Sequence, residues 1–335
     1  MSEKPLDNLP SLEGQKVLIT GGLGFIGSNL AHTCVRLGAE VTIYDCLDPR
    51  SGGNFHNIDD IESDVDVVRE DIRDFESVCA AVRNQAVLFN CAAYTSHPKS
   101  MREPLIDIDV NCKGVINILE AARQFNPDLS IIHVGTSTQT GKMQKNPIDE
   151  HHAEFPVDIY SANKSASEKY VLIYGSAYRM KTTVVRLANV FGPRANIKSP
   201  DFGFMNYFIG LALQNKELTI FGEGTQLRNV CFVDDAVAAL VSASQRKESF
   251  GQVFFAVGDE HYNIAQIAQH ITERIGGCMR LVPWPKDRET IEIGDAIISN
   301  LKAKQLLNWA PSFDLPSGLS RTRDYFAGRL DQYLA

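Results

Sequence analysis

A short apolar run, Lys16-Val-Leu-Ile-Thr20, ends on three glycines at a spacing of three, Gly21, Gly24 and Gly27, and a helical pattern runs from Phe25 to Leu37. No other stretch constrains the fold as much. A run this short and this apolar suits a buried parallel strand. Glycines directly behind it allow a tight turn, let a backbone approach a ligand, and let helix and strand pack closely. A plain strand-to-helix turn would use some of the same residues, so the rest of the pattern has to decide between them.

The pattern continues as alternating strands and helices. Glu40–Asp45, 65–71, 86–93 and 129–135 read as further strands, and 182–187 as another. Helical periodicity covers 75–83, 105–124 and the segment from Tyr160 to about Met180. Strands alternating with helices at this spacing imply an α/β chain built on a doubly wound parallel sheet. After Phe191-Gly-Pro-Arg194 the order changes. A helix is expected over 202–215, a strand over 218–221, then strands at 230–233 and 252–257 around a helix from Asp234 to Gln245. The layout is thus a first lobe, 1–191, to which the chain returns at about 231–257, and a smaller mixed α/β lobe made of 192–230 and 258–335.

Asp45 changes the reading of the glycine turn. A carboxylate closing the second strand can bind both ribose hydroxyls of NAD and would repel the extra phosphate of NADP. Amides at the start of the helix, with its dipole, would hold the pyrophosphate. Arg50 lies close enough to meet an NADP phosphate, but Asp45 favours NAD. Asp71, at the end of the third strand, reads either as an adenine contact or as a solvated acid. Farther on, Tyr160 and Lys164 stand four residues apart, on one face of a helix. A phenol with a reference pKa of about 10 is a poor base near neutral pH. An ammonium one turn away can favour its phenolate and make it a proton acceptor. Together, in this order, the two signals point to redox chemistry at an alcohol carbon.

Bulk properties exclude other classes. The 335 residues are 44% hydrophobic with a net charge of -8 and no long basic run, which argues against nucleic acid as a partner. The seven cysteines are scattered without a Cys-x-x-Cys, so reduced core thiols are expected, not disulfides or zinc. His151-His152 lacks a spaced carboxylate–histidine set, and no metal is expected. No apolar run is long enough to span a bilayer, and the polar start, Met1 to Gln15, does not read as a secretory signal. A cytoplasmic protein is expected.

Over nearly its full length the chain resembles the extended short-chain dehydrogenases/reductases that modify nucleotide sugars. The resemblance rests on Thr20-Gly-Gly-Leu-Gly-Phe-Ile-Gly27, Asn90-Cys-Ala-Ala93, Asp109-Val-Asn-Cys-Lys-Gly114, Tyr160-Ser-Ala-Asn-Lys164, Arg186-Leu-Ala-Asn-Val-Phe-Gly-Pro193, and Gly222-Glu-Gly-Thr-Gln-Leu-Arg228 leading to Val233-Asp-Asp235. It implies a Rossmann-like lobe carrying a smaller C-terminal substrate lobe, and a homodimer formed through the helices at 105–124 and 161–180. It assigns NAD to Gly21, Gly24, Phe25, Ile26, Gly27, Asp45, Asp71, Ile72, Ala92, Ala93, Asn111 and Leu187, together with Tyr160 and Lys164. Tyr160 is the implied base, Lys164 binds the nicotinamide ribose and lowers the tyrosine pKa, and Thr136 bridges the sugar hydroxyl and the phenol. A nucleotide-diphosphate sugar would meet Ser96, Thr136, Ser137, Asn189, Arg228 and Arg288.

Two departures from the family pattern stand out. The chain reads Asp287-Arg-Glu-Thr-Ile-Glu-Ile-Gly-Asp295 where the family commonly shows Arg-x-Gly-Asp, so the register of Arg288 is open. Gln139-Thr-Gly141 replaces the commoner Val-Tyr-Gly, which changes the sugar pocket. His97, a histidine in a loop that contacts the hexose in the family, is given no part in the mechanism.

In the family, a sugar hydroxyl loses its proton to the tyrosinate while NAD oxidises the carbon. Dehydratases then use an Asp-Glu pair directly after the threonine, and decarboxylases a glutamate in the same loop. Here Ser137 and Thr138 follow, hydroxyls without a useful pKa for acid–base work. The simplest remaining chemistry is reduction of the ketone from the opposite face. That is epimerisation, most often at C4, of a UDP-glucose or UDP-galactose type of substrate. A 4,6-dehydratase or 4-keto-sugar reductase is the alternative, with Glu150, His151 or His152 as acid–base groups. A non-catalytic NAD-binding regulator is the remote one, against which the intact Thr136, Tyr160 and Lys164 argue.

Overall fold

Residues 9–286 and 292–334 are described by a computed structural model. Six strands, β1 (Lys16–Thr20), β2 (Glu40–Tyr44), β3 (Val65–Val68), β4 (Val87–Asn90), β5 (Ser130–Thr136) and β6 (Lys181–Leu187), are followed by four more. These are β7 (Val190–Phe191), β8 (Glu217–Phe221), β9 (Leu227–Asn229) and β10 (Cys231–Phe232). The series ends with β11 (Gln252–Ala256), β12 (His261–Asn263) and β13 (Cys278–Val282). The main sheet is parallel throughout, in the order β11-β6-β5-β4-β1-β2-β3. Order reverses between β1 and β4, which opens a crevice at the carboxyl ends of these strands. The expected doubly wound sheet is present. Three two-stranded pairs, β7–β10, β8–β13 and β9–β12, lie outside it.

Strand alternation sorts the core into two faces. Val17, Ile19, Ile43, Phe89, Ile132 and Val185 meet helices α1 (Phe25–Arg36) and, later in the chain, Val233–Ser244. Leu18, Leu88, Ile131 and Val184 point the other way, toward Val78, Ile118, Leu119 and Val171. Those apolar residues come from α2 (Phe75–Ala81), α5 (Val115–Phe125) and α6 (Ile159–Tyr178), with α3 (His97–Arg102) and α4 (Pro104–Ile108) in between. The single helix expected over 105–124 is α4 and α5 joined by a wider-wound stretch, Asp109–Gly114. The third strand stops at Val68, short of the expected Asp71, and the chain turns where Arg73 closes on the Asp71 carboxylate at 2.6 Å. All seven cysteines are free, but Cys46 and Cys278 are exposed and not core thiols as expected. They sit just past β2 and at the start of β13.

A buried ion cluster ties α6 to β6. Arg186 donates to both carboxylate oxygens of Glu168 at 2.8 and 2.7 Å, and to Glu154 at 2.6 Å. Gln139 donates to Glu168 at 2.9 Å, and Lys169 closes the cluster from the solvent side. Burial pushes the Glu168 pKa up, but the bonds from Arg186 more than offset this and hold it below the usual range. Removing one member of such a pair leaves its partner charged and out of water. Glu168→Ala is therefore expected to destabilise the fold by about 3–5 kcal/mol, read as a lowered urea midpoint. A loss under about 1 kcal/mol would mean that Glu154 alone neutralises Arg186.

Candidate active site

The glycine turn forms the floor of a groove of ≈ 230 Å³ at the crevice. Gly21 has φ 67°, and a side chain there would run into the Ala92 backbone at 2.7 Å. A Cβ on Gly27 would fall on the Gly21 carbonyl. Gly24 caps α1 with no side-chain hydrogen bond, and the first turn of the helix holds no acid. Its leading amides therefore face the groove without a protein carboxylate, an arrangement that suits a pyrophosphate. Asp45 follows β2, and its carboxylate accepts the Leu23 amide at 3.0 Å and the Leu47 amide at 2.8 Å. Burial raises its pKa and these two bonds pull it back. Each oxygen retains acceptor capacity for a ribose hydroxyl.

Gly21, Gly24, Phe25, Ile26, Gly27, Asp45, Asp71, Ile72, Ala92 and Ala93 all line this groove. The wall also includes Ser51, Gly52 and Gly53, Thr95, and Asn196, Phe202 and Asn206 from the far side, none of which was expected. Only the glycine pair at 52–53 offered a signal in the sequence. Asn111 lies behind the wall, in the wide-wound stretch. Its amide oxygen accepts the Tyr94 N–H at 3.1 Å and its nitrogen donates to the Tyr94 carbonyl at 2.8 Å. It thus fixes the loop that presents Ala92 and Ala93.

The tyrosine helix packs against β5 and β6. Tyr160, in the first turn of α6, is 9% exposed, and its N–H donates to Ser100 Oγ at 3.0 Å. Burial holds the phenol pKa above its ordinary value, and the Thr136 hydroxyl beside it pulls the other way. Thr136 ends β5 and its Oγ1 lies 3.1 Å from Thr138 Oγ1. Lys164 is 3% exposed, and its ammonium points to the sheet. It donates to the Val134 carbonyl at 2.7 Å and lies 3.3 Å from His133 Nε2. Burial pushes its pKa down to about 8, with Cys91 and Asp107 acting in the opposite sense. In this state the lysine is held by the sheet, with no bond to the phenol.

That anchor continues inward. Thr20, Asn90 and His133 are register neighbours on β1, β4 and β5. Thr20 Oγ1 donates to Asn90 Oδ1 at 2.7 Å, and Asn90 Nδ2 lies 3.0 Å from His133 Nδ1. Burial, with the Lys164 charge, keeps His133 far below its usual pKa. A neutral His133 accepting from Asn90 through Nδ1 donates through Nε2–H, so it can crowd Lys164 but not accept from it. Three polar side chains in apolar strands were the signal available in the sequence.

Of the expected substrate residues, Asn189 sits at φ 40° after β6 and donates to the Asn229 carbonyl at 2.8 Å. Arg228 on β9 donates to Glu292 at 2.7 Å and to the Gly294 carbonyl at 2.6 Å. Ser96 is buried and donates to Asp201 at 3.1 Å. Ser137 opens the turn after Thr136, and Leu187 ends β6. Arg288 lies outside the described residues. Glu150 accepts the Phe255 amide at 3.0 Å, and His152 Nε2 accepts the Gln144 amide at 2.9 Å. Both are thus committed to backbone, which weakens them as acid–base groups.

Residues 17–265 match the model of the NAD dependent epimerase/dehydratase family. A putative UDP-glucose 4-epimerase of Methanocaldococcus jannaschii is 30% identical over 308 residues, 91% of this chain and 96% of that protein. A UDP-N-acetyl-alpha-D-glucosaminuronate decarboxylase of Bacillus cytotoxicus is 28% identical over 325 residues, 93% and 98% of the two chains. The UDP-glucose 4-epimerase of Thermus thermophilus, solved in complex with NAD, superposes with a TM-score of 0.84 at 27% identity, covering 94% of this chain and 99% of that one. A match of this extent takes in both the glycine groove and the tyrosine helix, and it makes the chain a member of the NAD-dependent epimerase/dehydratase family, with NAD as its cofactor.

Proposed function

We propose that this enzyme epimerises a nucleotide-diphosphate hexose at C4, of the UDP-glucose/UDP-galactose type, through a transient 4-keto sugar. One observation carries the choice within the family. The buried Thr136–Tyr160 pair is followed by Ser137 and Thr138, and Glu150 and His152 are tied to backbone amides. A dehydration or decarboxylation at this loop would want a carboxylate there. Tyr160 takes the proton of the sugar hydroxyl, and Thr136 orients that hydroxyl. NAD, when bound, accepts and later returns a hydride. Lys164 supplies the positive charge that makes the phenol a usable base.

Arg228 and Asn189 lie at the edge of the 192–230 and 258–335 lobe, which we take as the nucleotide-binding part. Arg228 would exchange Glu292 for the substrate diphosphate, with Arg288 as the second anchor. The sugar itself has to be held loosely enough to turn over between oxidation and reduction. Incubation with UDP-galactose or UDP-glucose, without added cofactor, is expected to interconvert the two. Formation of a 4-keto or decarboxylated product, with no interconversion, would refute the proposal.

We further propose a cytoplasmic homodimer. Seven unpaired cysteines suit a reducing compartment. Met101, Leu105 and Ile108 on α3 and α4 are 53%, 74% and 42% exposed, and Ile173 on the adjacent α6 is 54% exposed. An apolar face of this kind, drawn from α3, α4 and α6, is ready to pair with its own copy. The double variant Leu105→Glu/Ile173→Glu is expected to shift a dimer to a monomer in light scattering. A monomeric parent protein would end this proposal.

A further inference from the structure

The side chains of His97 and Asp158 sit against the catalytic tyrosine, and the reaction as proposed uses neither. His97 opens α3, and its ring meets the Tyr160 ring edge-on, with centroids 4.9 Å apart at 79°. Its Nδ1 lies 2.8 Å from Asp158 Oδ2. Asp158 is itself fixed: it caps α6 by accepting the Ser161 amide at 2.8 Å, and the Ser161 hydroxyl lies 3.1 Å from Oδ2. The same hydroxyl is 2.9 Å from Thr138 Oγ1, which is 3.1 Å from Thr136 Oγ1. A line of hydroxyls therefore joins the pair to the threonine of the active site.

Capping needs no histidine, since the Ser161 amide satisfies the aspartate at the helix start. The His97 side chain stays 36% exposed, and its Nε2 has no hydrogen-bond partner among the described residues. An imidazole that donates through Nδ1 to a buried carboxylate presents the Nε2 lone pair outward, in a fixed orientation. The phenol has to touch the reacting sugar, and the imidazole centroid lies 4.9 Å from that of the phenol ring.

We infer that His97, oriented by Asp158, is a second acid–base residue of this site and moves a proton on the carbon next to the oxidised one. This inference rests on the reading above, in which NAD oxidises a sugar carbon beside Tyr160. The resulting ketone makes the hydrogens on its neighbouring carbons acidic. One such C–H bond breaks, and its proton passes to Nε2. The electron pair forms a carbon–carbon double bond, while the carbonyl pair moves onto oxygen and takes hydrogen bonds from Thr136 and the protonated Tyr160. Return of the proton from Nε2 to the same face reverses the step; return after the planar intermediate has turned over in the pocket, as the ketone does in the C4 reaction, inverts that neighbouring centre. The substrate class is a nucleotide hexose with a hydrogen on C3 or C5, and the activity extends past C4.

Solvent deuterium separates the two chemistries, because inversion at C4 alone carries its hydrogen as hydride and exchanges nothing with water. The NAD-loaded full chain is incubated in D₂O with UDP-glucose, UDP-galactose and UDP-N-acetylglucosamine, and the sugars are read by mass spectrometry and proton NMR. Deuterium at C3 or C5 is expected with the parent protein. In His97→Asn, which can still donate to Asp158, and in His97→Ala, exchange is expected to fall about 100-fold, while reduced nicotinamide still forms. Oxidation without deuterium at those carbons in the parent, or undiminished exchange in His97→Asn, overturns the inference and leaves the C4 reading standing. Loss of cofactor reduction and exchange together in both variants marks a purely structural role and also overturns it. No oxidation of any of the three sugars removes the reading and the inference with it.

Discussion

Tyr160→Phe is expected to lower kcat on the true sugar nucleotide by about 10²–10⁴-fold, the range typical of removing a positioned acid–base group. The change deletes one oxygen. Its ring remains packed on His97, and the Tyr160 amide keeps its bond to Ser100. Thr136 keeps Thr138 as a partner for its hydroxyl. Stability should therefore move by no more than about 1 kcal/mol. The NAD content of the purified protein should not change, because the groove floor and Asp45 are on other elements. KM should shift little, since the missing proton acceptor matters chiefly in the transition state. Steady-state kinetics with the cofactor content measured on the same sample checks all three. A rate within a few-fold of the parent would remove Tyr160 from the chemistry.

The scaffold was readable because each of its strands is an apolar run closed by a turn, and a parallel sheet buries such runs on both faces. Lys16–Thr20 and its glycines predicted β1 and the start of α1 to the residue. The groove floor was readable for the same reason, since a ligand at the strand ends meets the residues that close β1, β2 and β4. What escaped was the set of partners brought from far away in sequence. Ser96 meets Asp201, Arg228 meets Glu292, and His97 meets Asp158. No local pattern encodes these distances, because each depends on how two separate loops pack. Asn111 shows the same limit. Its amide holds the Tyr94 backbone, a pairing set by the wide-wound turn between α4 and α5. Lys164 was legible as a residue on the tyrosine's helix face, but its bond to Val134 was not, since spacing along a helix says nothing about which neighbour a long side chain reaches.

That buried lysine leads to an expectation in which stability and activity part company: Lys164→Met should make the cofactor-free protein more stable at pH 7 and nearly inactive. Burial depresses the folded-state pKa from 10.5 to about 8. Between those values the unfolded chain binds the extra proton, so stability rises as the pH climbs through the window, and below it the native state carries the full cost of a buried cation. The shift corresponds to about 3 kcal/mol. Methionine of similar length escapes that cost, though it leaves the Val134 carbonyl without its donor, a loss of about 1 kcal/mol. A net gain of about 1–2 kcal/mol is expected at pH 7 and should vanish by about pH 10.5, where the folded parent lysine is neutral and the unfolded one keeps only about half its charge. Turnover should fall by 10² or more, because no cation remains to favour the Tyr160 phenolate. Urea unfolding at both pH values, alongside kcat, tests the pair of outcomes. A variant less stable than the parent at pH 7 would show that the sheet solvates the ammonium of Lys164 well enough to make it an asset, and the strain assigned to it here would be wrong.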